Sequence, residues 1–204
     1  YNYIKLHEIF TPEVKAARKI LGDDIPIMVD TNCPWTKDQA RQILSEWEDF
    51  NLYWVEEPIN PPEDFESLSH LRSESLIPIA AGENACTSFE FKKMFEYEAV
   101  DYAQPSVTKV GGITEFKKII SVAETFGVQV MPHSPYFGPG FLATLHLSQS
   151  VPNSGLLERF FIDFEAYIYP EQIFNPKSGS FEIPNGIGLG FDPDKNVLKD
   201  YRVN

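Results

Sequence analysis

The stretch YWVEEPI, Tyr53 to Ile59, sets an apolar run against two adjacent carboxylates and a proline. Tyr53, Trp54 and Val55 are good strand residues, and Pro58 removes the backbone donor that would continue the ladder. Side chains alternate along a strand. Glu56 therefore shares a face with Trp54, a natural core residue, and Glu57 points the other way. This parity predicts that Glu56 looks into whatever the strands enclose, while Glu57 pairs with a helix lysine or arginine.

The pattern of a short apolar strand ending in a polar residue recurs along the chain. Strands are predicted in YIKLHE (3–8), IPIMVD (25–30), LYWVEEP (52–58), IPIAAGE (77–83), DYAQPS (101–106), VQVMPHS (128–134) and, last, GLLERFF (155–161). Helical segments lie between them. The first should carry Thr11 at its N-cap, Pro12 at N1 and Gly22 at its stop. Thr36 with Gln39, and Thr87 with Glu90, have the spacing of capping boxes. Alternation of this kind implies an α/β fold with a parallel sheet. The polar residues at the strand ends are His7, Asp30, Glu56, Glu83, Ser106, His133 and Glu158, separated by steps of 23 to 27 residues. That steady step is one βα unit per polar residue. In a barrel, residues at the C-terminal ends of successive strands converge on one mouth. A doubly wound open sheet is the rival, but no G-x-G-x-x-G turn follows the first strand. The expected organisation is a single barrel domain over 1–204, with βα units to about 163 and an irregular segment from 164 to 204.

Composition narrows the chemistry. A net charge of −13 argues against nucleic acid and anionic membrane as partners. No apolar stretch reaches the length of a membrane span. Cys33 and Cys86 are too few for a disulfide framework and fit a reducing, cytoplasmic setting, as packing residues. The chain opens on Tyr1 and is expected to be part of a longer protein.

Asp30, Glu56 and Glu83 end three consecutive predicted strands. Neighbouring strands lie about 4.8 Å apart, so the three carboxylates should cluster. Unpaired acids that close repel one another, and a divalent cation removes the conflict. An oxygen-only set suits magnesium, which keeps positions open for water or substrate. Lys5 and His7 have the same parity on the first strand and can face the mouth; His133 lies on the far side of the barrel order. A metal between two sets of bases suits one reaction: a carboxylate substrate chelates the cation, a base takes the α-proton, and the metal stabilises the enediolate. An acid on the opposite face then decides the product. Asn32, sharing parity with Asp30, is a candidate substrate contact.

The motifs MVDTN, WVEEP, AGEN, KVGGITE, MPHS and LLER, in this order and spacing from about Lys5 to Asp194, resemble the enolase superfamily in its mandelate racemase and muconate lactonizing enzyme branch. The resemblance implies a TIM-type (β/α)7β barrel with one essential Mg²⁺ held by Asp30, Glu56 and Glu83. It implies acid/base residues at Lys5 and His133, and Glu158 as the residue that hydrogen-bonds the substrate carboxylate. Three departures stand out. The first strand reads Lys-x-His where many members read Lys-x-Lys, so His7 is a base, a contact or a neighbour of Lys5. Ser106 stands where the racemase type carries an Asp that orients the His. The capping segment and the first barrel strand are absent from this chain, so the barrel is incomplete and needs them. The implied partner is a small-molecule carboxylate, bound by a homo-oligomer. The expected reaction is dehydration of a sugar acid or related hydroxy acid. Racemisation or epimerisation, and a catalytically silent fragment or binding module, stay open as alternatives.

Overall fold

The computed structural model describes residues 1–151 and 155–203. Six strands form one parallel sheet: β1 Ile4–His7, β2 Ile27–Asp30, β3 Leu52–Glu56, β4 Ile79–Ala81, β5 Tyr102–Ala103 and β6 Gln129–Val130. They pair in sequence order from β1 to β6, every pair parallel. This ordering is that of a barrel wall and leaves no reversal point for a doubly wound sheet. Between the strands run α1 Thr11–Leu21, α2 Lys37–Trp47, α3 Phe65–Glu74, α4 Ser88–Glu96 and α5 Ile113–Phe126; α6 Pro139–Ser148 follows β6. Among the described residues the wall does not close, and β1 and β6 keep free edges.

The alternation sorts the strand side chains into two layers. Ile27, Val29, Leu52, Val55, Ile79, Ala81, Ala103 and Val130 join the core between sheet and helices. Met28, Trp54, Ala80 and Met131 form a second, interior cluster. One irregularity lies in β3. Ile27 pairs with Leu52 but Met28 pairs with Trp54, so Tyr53 is an extra residue, a bulge. Tyr53 and Trp54 consequently both pack inside, their rings 5.2 Å apart, and Tyr102 stacks on Tyr53 at 5.7 Å.

Local sequence accounts for most helix ends. Thr36 and Gln39 make the expected reciprocal capping box. Thr87 caps α4, but Glu90 reaches back to the amide of Cys86 rather than that of Thr87. The assignment of Thr11 as N-cap is corrected by one residue: Phe10 holds that position, and the Thr11 hydroxyl accepts from the Trp47 indole at 2.9 Å instead. Gly22 ends α1 as expected.

The segment GLLERFF carries no strand over its described residues 155–161, contrary to expectation. It still lies beside the barrel end, where the Ser134 amide and hydroxyl donate to the Glu158 carboxylate and carbonyl at 3.4 Å. The tail beyond 164 is more ordered than its composition suggests. A 3₁₀ turn at Glu171–Phe174 and a last helix, α7 Lys195–Asp200, interrupt it. Phe174 and Tyr169 pack on Phe141, Leu142 and Leu145 of α6. Helix α6 is apolar all round because it is covered on both sides, by this layer and by the main core through Ala143 and Leu147. No helix among the described residues is long and apolar enough to cross a membrane.

Two charged residues tie elements together away from the mouth. Arg18, buried, donates to four backbone carbonyls, of Phe50, Gly22, Ile25 and Asn51, at 2.6 to 2.9 Å. Replacing it by Met strands those acceptors, and a loss of about 3 kcal/mol in a urea titration is expected. Glu115, in the first turn of α5, accepts from Lys118 and from the hydroxyl and amide of Ser88 at the start of α4. These partners hold its carboxyl down at about 2. An unperturbed glutamate titrates near pH 4.3, so the ionised form stabilises the fold above that value and this contribution is lost as pH falls toward the folded one. Stability measured in steps from pH 5 downward should fall less steeply in Glu115→Gln than in the unaltered chain.

Candidate functional site

Register assembles the mouth. His7 pairs with Asp30, and Asp30 with Glu56, so three strand-final residues stand side by side. Glu83 follows Gly82, two residues past the end of β4. Gly82 is required there: at φ 135°, a Cβ would come within 2.8 Å of the Phe91 ring and 3.0 Å of the Gln104 amide. Asp30, Glu56 and Glu83 each offer a carboxylate oxygen, and these oxygens lie within 4.8 Å of one another. They form an acidic, oxygen-only pocket wall.

Lys5 spans the cluster from the β1 side. Its Nζ lies 2.6 Å from Glu158 Oε1, 3.0 Å from Glu56 Oε1 and 3.5 Å from Asp30 Oδ2. Glu56, fully buried, has its other oxygen hydrogen-bonded by the Trp54 indole at 3.1 Å. His7 is largely exposed, its Nε2 3.5 Å from Asp30 Oδ2. Asn32 is exposed too; its backbone amide, not its side chain, donates to Asp30 Oδ1 at 3.1 Å. Burial alone would favour a neutral Lys5, but the carboxylates of Glu56, Glu158 and Asp30 outweigh it and hold the ammonium well above its ordinary range. One cation does not satisfy three acids. Burial and then the charge of Glu56 push Asp30 up to about 8, with Lys5 opposing.

His133 bounds the opposite side. Its Nε2 lies 2.8 Å from Glu83 Oε2, and Lys109 Nζ lies 3.2 Å from Glu83 Oε1. Burial would raise the Glu83 carboxyl, but the hydrogen bond and charge of His133 and then Lys109 bring it down to about 2. Ser106 is fully buried and does not meet the ring directly; its hydroxyl contacts the Tyr136 hydroxyl, which lies 3.2 Å from His133 Nδ1. Lys109 and Tyr136 are two further site neighbours, both from loops, which the pattern of strand-end residues does not reach. Their signal was position alone, Tyr136 three residues after His133 and Lys109 just before the Gly111–Gly112 pair.

Glu57 corrects one expectation. It does face away from the mouth, but among the described residues it pairs with no lysine or arginine. Buried, it accepts from the Gly82 amide at 2.9 Å and from the Cys33 thiol at 3.3 Å. Burial raises its carboxyl, and those two donors pull the other way. The Cys33 thiol is likewise pushed up, by burial and then by Glu57, which fits packing rather than nucleophilic use. Asn32, Cys33 and Glu57 all have φ between 49° and 57°, so left-handed, non-glycine backbone gathers beside the carboxylates. Between β1 and the segments around 156–161 and 176–183 runs a groove of about 640 Å³, lined among others by Lys5, His7, Trp54, Gln104 and Glu158.

Comparison with known proteins places this geometry. The family described as enolase C-terminal domain-like matches residues 8–197. L-talarate/galactarate dehydratase of Salmonella typhimurium is 34% identical over 176 residues, covering 86% of this chain and 42% of that protein. Arabinonate dehydratase of Saccharolobus solfataricus is 32% identical over 192 residues, covering 93% and 50%. Among solved structures, an enolase superfamily member from a Polaromonas species superposes with a TM-score of 0.89 at 31% identity, over 100% of this chain and 56% of that one. L-talarate dehydratase from the same genus, complexed with Mg and L-glucarate, gives a TM-score of 0.69 at 34% identity, over 78% and 44%. The chain spans about half the length of the curated relatives it matches. It belongs to the enolase superfamily, as a C-terminal barrel domain of the mandelate racemase and muconate lactonizing enzyme branch.

Proposed function

We propose that this barrel serves the magnesium-dependent dehydration of a sugar acid. The observation that carries the reading is the meeting of Asp30, Glu56 and Glu83 within 4.8 Å, with Lys5 on one side and His133 on the other. The dehydratases of xylonate, talarate or galactarate, gluconate and arabinonate among the relatives support the substrate class. The donor set fits a hard dication, being oxygen only, pre-clustered and under-neutralised by Lys5. When bound, Mg²⁺ supplies positive charge to these carboxylates and to the carboxylate of the substrate.

Once those carboxylates are neutralised by the cation, Lys5 would release its extra proton to solvent and, as the neutral amine, take the α-proton on Nζ. His133 gives a proton from Nε2 to the β-hydroxyl, which leaves as water; the enol that remains becomes a 2-keto acid. Glu158, paired to Lys5, is the residue proposed to hydrogen-bond the substrate carboxylate, with His7 and Asn32 as further substrate contacts at the rim. The activity is proposed for the domain together with a capping segment, since the relatives extend well beyond the matched span, and within a homo-oligomer.

Magnesium titration by calorimetry should separate the adjacent acids. Glu56→Gln is expected to weaken binding by well over about 100-fold, beyond what supporting residues cost, and Glu57→Gln to stay within that about 10–100-fold range. Incubation with a set of aldonates and aldarates plus Mg²⁺ should yield a 2-keto acid, and Lys5→Met should slow it by about 10²–10⁴-fold. Solvent deuterium entering the α-position without any keto acid would replace dehydration by epimerisation. Magnesium binding with neither outcome would leave a binding module.

A further inference from the structure

Glu57 faces away from the mouth and is buried, yet it touches the turns on both sides of it. Its φ of 49° turns the chain just after β3. On one side lies the turn that follows Asp30. The Glu57 carbonyl accepts from the Cys33 amide at 2.6 Å and from the Thr31 hydroxyl at 3.0 Å, and its Oε2 lies 3.3 Å from the Cys33 thiol. The same turn orients Asp30, whose Oδ1 accepts from the Asn32 amide at 3.1 Å. On the other side lies the turn that carries Glu83. The Glu57 amide donates to the Ala80 carbonyl at 3.0 Å, and its Oε1 accepts from the Gly82 amide at 2.9 Å. The Gly82 carbonyl in turn accepts from the Ala85 amide at 3.1 Å. Glu83 therefore follows a residue fastened at both of its backbone groups. The direction of the Gly82 contact is fixed, since an amide N–H only donates and a carboxyl oxygen accepts it in either charge state. An apolar residue at 57 would be cheaper to bury than an acid. It would leave the buried Gly82 amide without its acceptor.

We propose that Glu57 is a positioning residue for the cation site, its carboxyl group bridging the turns that present Asp30 and Glu83 and so setting the spacing of the two ligands that flank Glu56. That role rests on the reading of these three acids as magnesium ligands, and it is one of reach, not of charge. Magnesium requires near-ideal octahedral geometry at about 2.0–2.1 Å, whereas calcium accepts irregular coordination at about 2.3–2.6 Å. A Glu83 turn let loose should therefore weaken magnesium more than calcium.

Two replacements separate reach from charge. Glu57→Gln keeps the length and an oxygen for Gly82 but loses the charge; Glu57→Asp keeps the charge and falls one methylene short. In calorimetric titration with Mg²⁺, Glu57→Gln should sit near the lower end of the about 10–100-fold loss typical of supporting residues, and Glu57→Asp near the upper end. With Ca²⁺, the Kd of Glu57→Asp should rise about 10-fold less than it does with Mg²⁺. In the metal-free chain, hydrogen exchange at the Gly82 amide, read by NMR, should be slow in the unaltered protein and in Glu57→Gln, and at least about 10-fold faster in Glu57→Asp. Magnesium binding weakened more by Glu57→Gln than by Glu57→Asp overturns the proposal, as do parallel losses for the two cations or fast Gly82 exchange in the unaltered chain. If Glu57→Asp does not fold, Glu57→Leu, which lacks the acceptor, takes its place with the same expectations, and Gly82 exchange in the unaltered and Glu57→Gln chains remains decisive. An unaltered chain that binds no magnesium overturns the magnesium reading and this role with it, whereas binding that ignores the reach of residue 57 overturns this role alone.

Discussion

Mutual repulsion among three carboxylates is the constraint on which the rest of this structure turns. Side chains of like charge whose oxygens lie within 4.8 Å do not stay together without compensation. Here the compensation is built from both ends of the sheet. Lys5 reaches across from β1 to Glu56 and Asp30, while His133 and Lys109 hold Glu83 from beyond β6 and β5. The acids end neighbouring strands, while the groups that meet them come from strands at opposite ends of the sheet order. Asp30, with its titration moved up to about 8, marks where that compensation falls short. The shortfall is what a dication would fill.

Most of the wall was legible from the sequence because its signals are periodic. The step of 23 to 27 residues between polar strand ends registers one βα unit each time, and all six strands formed lie in segments read as strands. Parity along β3 separated Glu56 from Glu57 correctly as to direction. It failed on the partner of Glu57, because a buried acid can be satisfied by a backbone amide and a thiol, and neither announces itself in sequence. GLLERFF failed differently. Its composition suits a strand, but a strand requires a neighbour, and pairing is a property of the assembled sheet.

Loop residues were the harder part. Tyr136 and Lys109 reach the site from irregular backbone, where no period links position to direction. The C-terminal segment shows the same limit. Its Pro, Gly and Asn content reads as loop, and loop it mostly is, yet Tyr169, Phe174, Phe181 and Ile183 build a compact apolar layer on α6. Irregular backbone and weak packing are separate properties, and composition reports only the first. The apolar circumference of α6 was the available clue, since such a helix must be covered on both sides.

The bulge at Tyr53 carries a consequence for how the neighbouring acids are told apart. Two glutamates in succession mean that a slip of β3 by a single residue would deliver Glu57 to the interior and bury Glu56 among the helices. The supernumerary tyrosine, its ring against both Trp54 and Tyr102, works as a detent against that slip. Evolution of this strand is thereby restricted in length more than in composition: insertions and deletions ahead of the glutamates would scramble which acid serves the pocket, whereas exchanges of one aromatic for another would not.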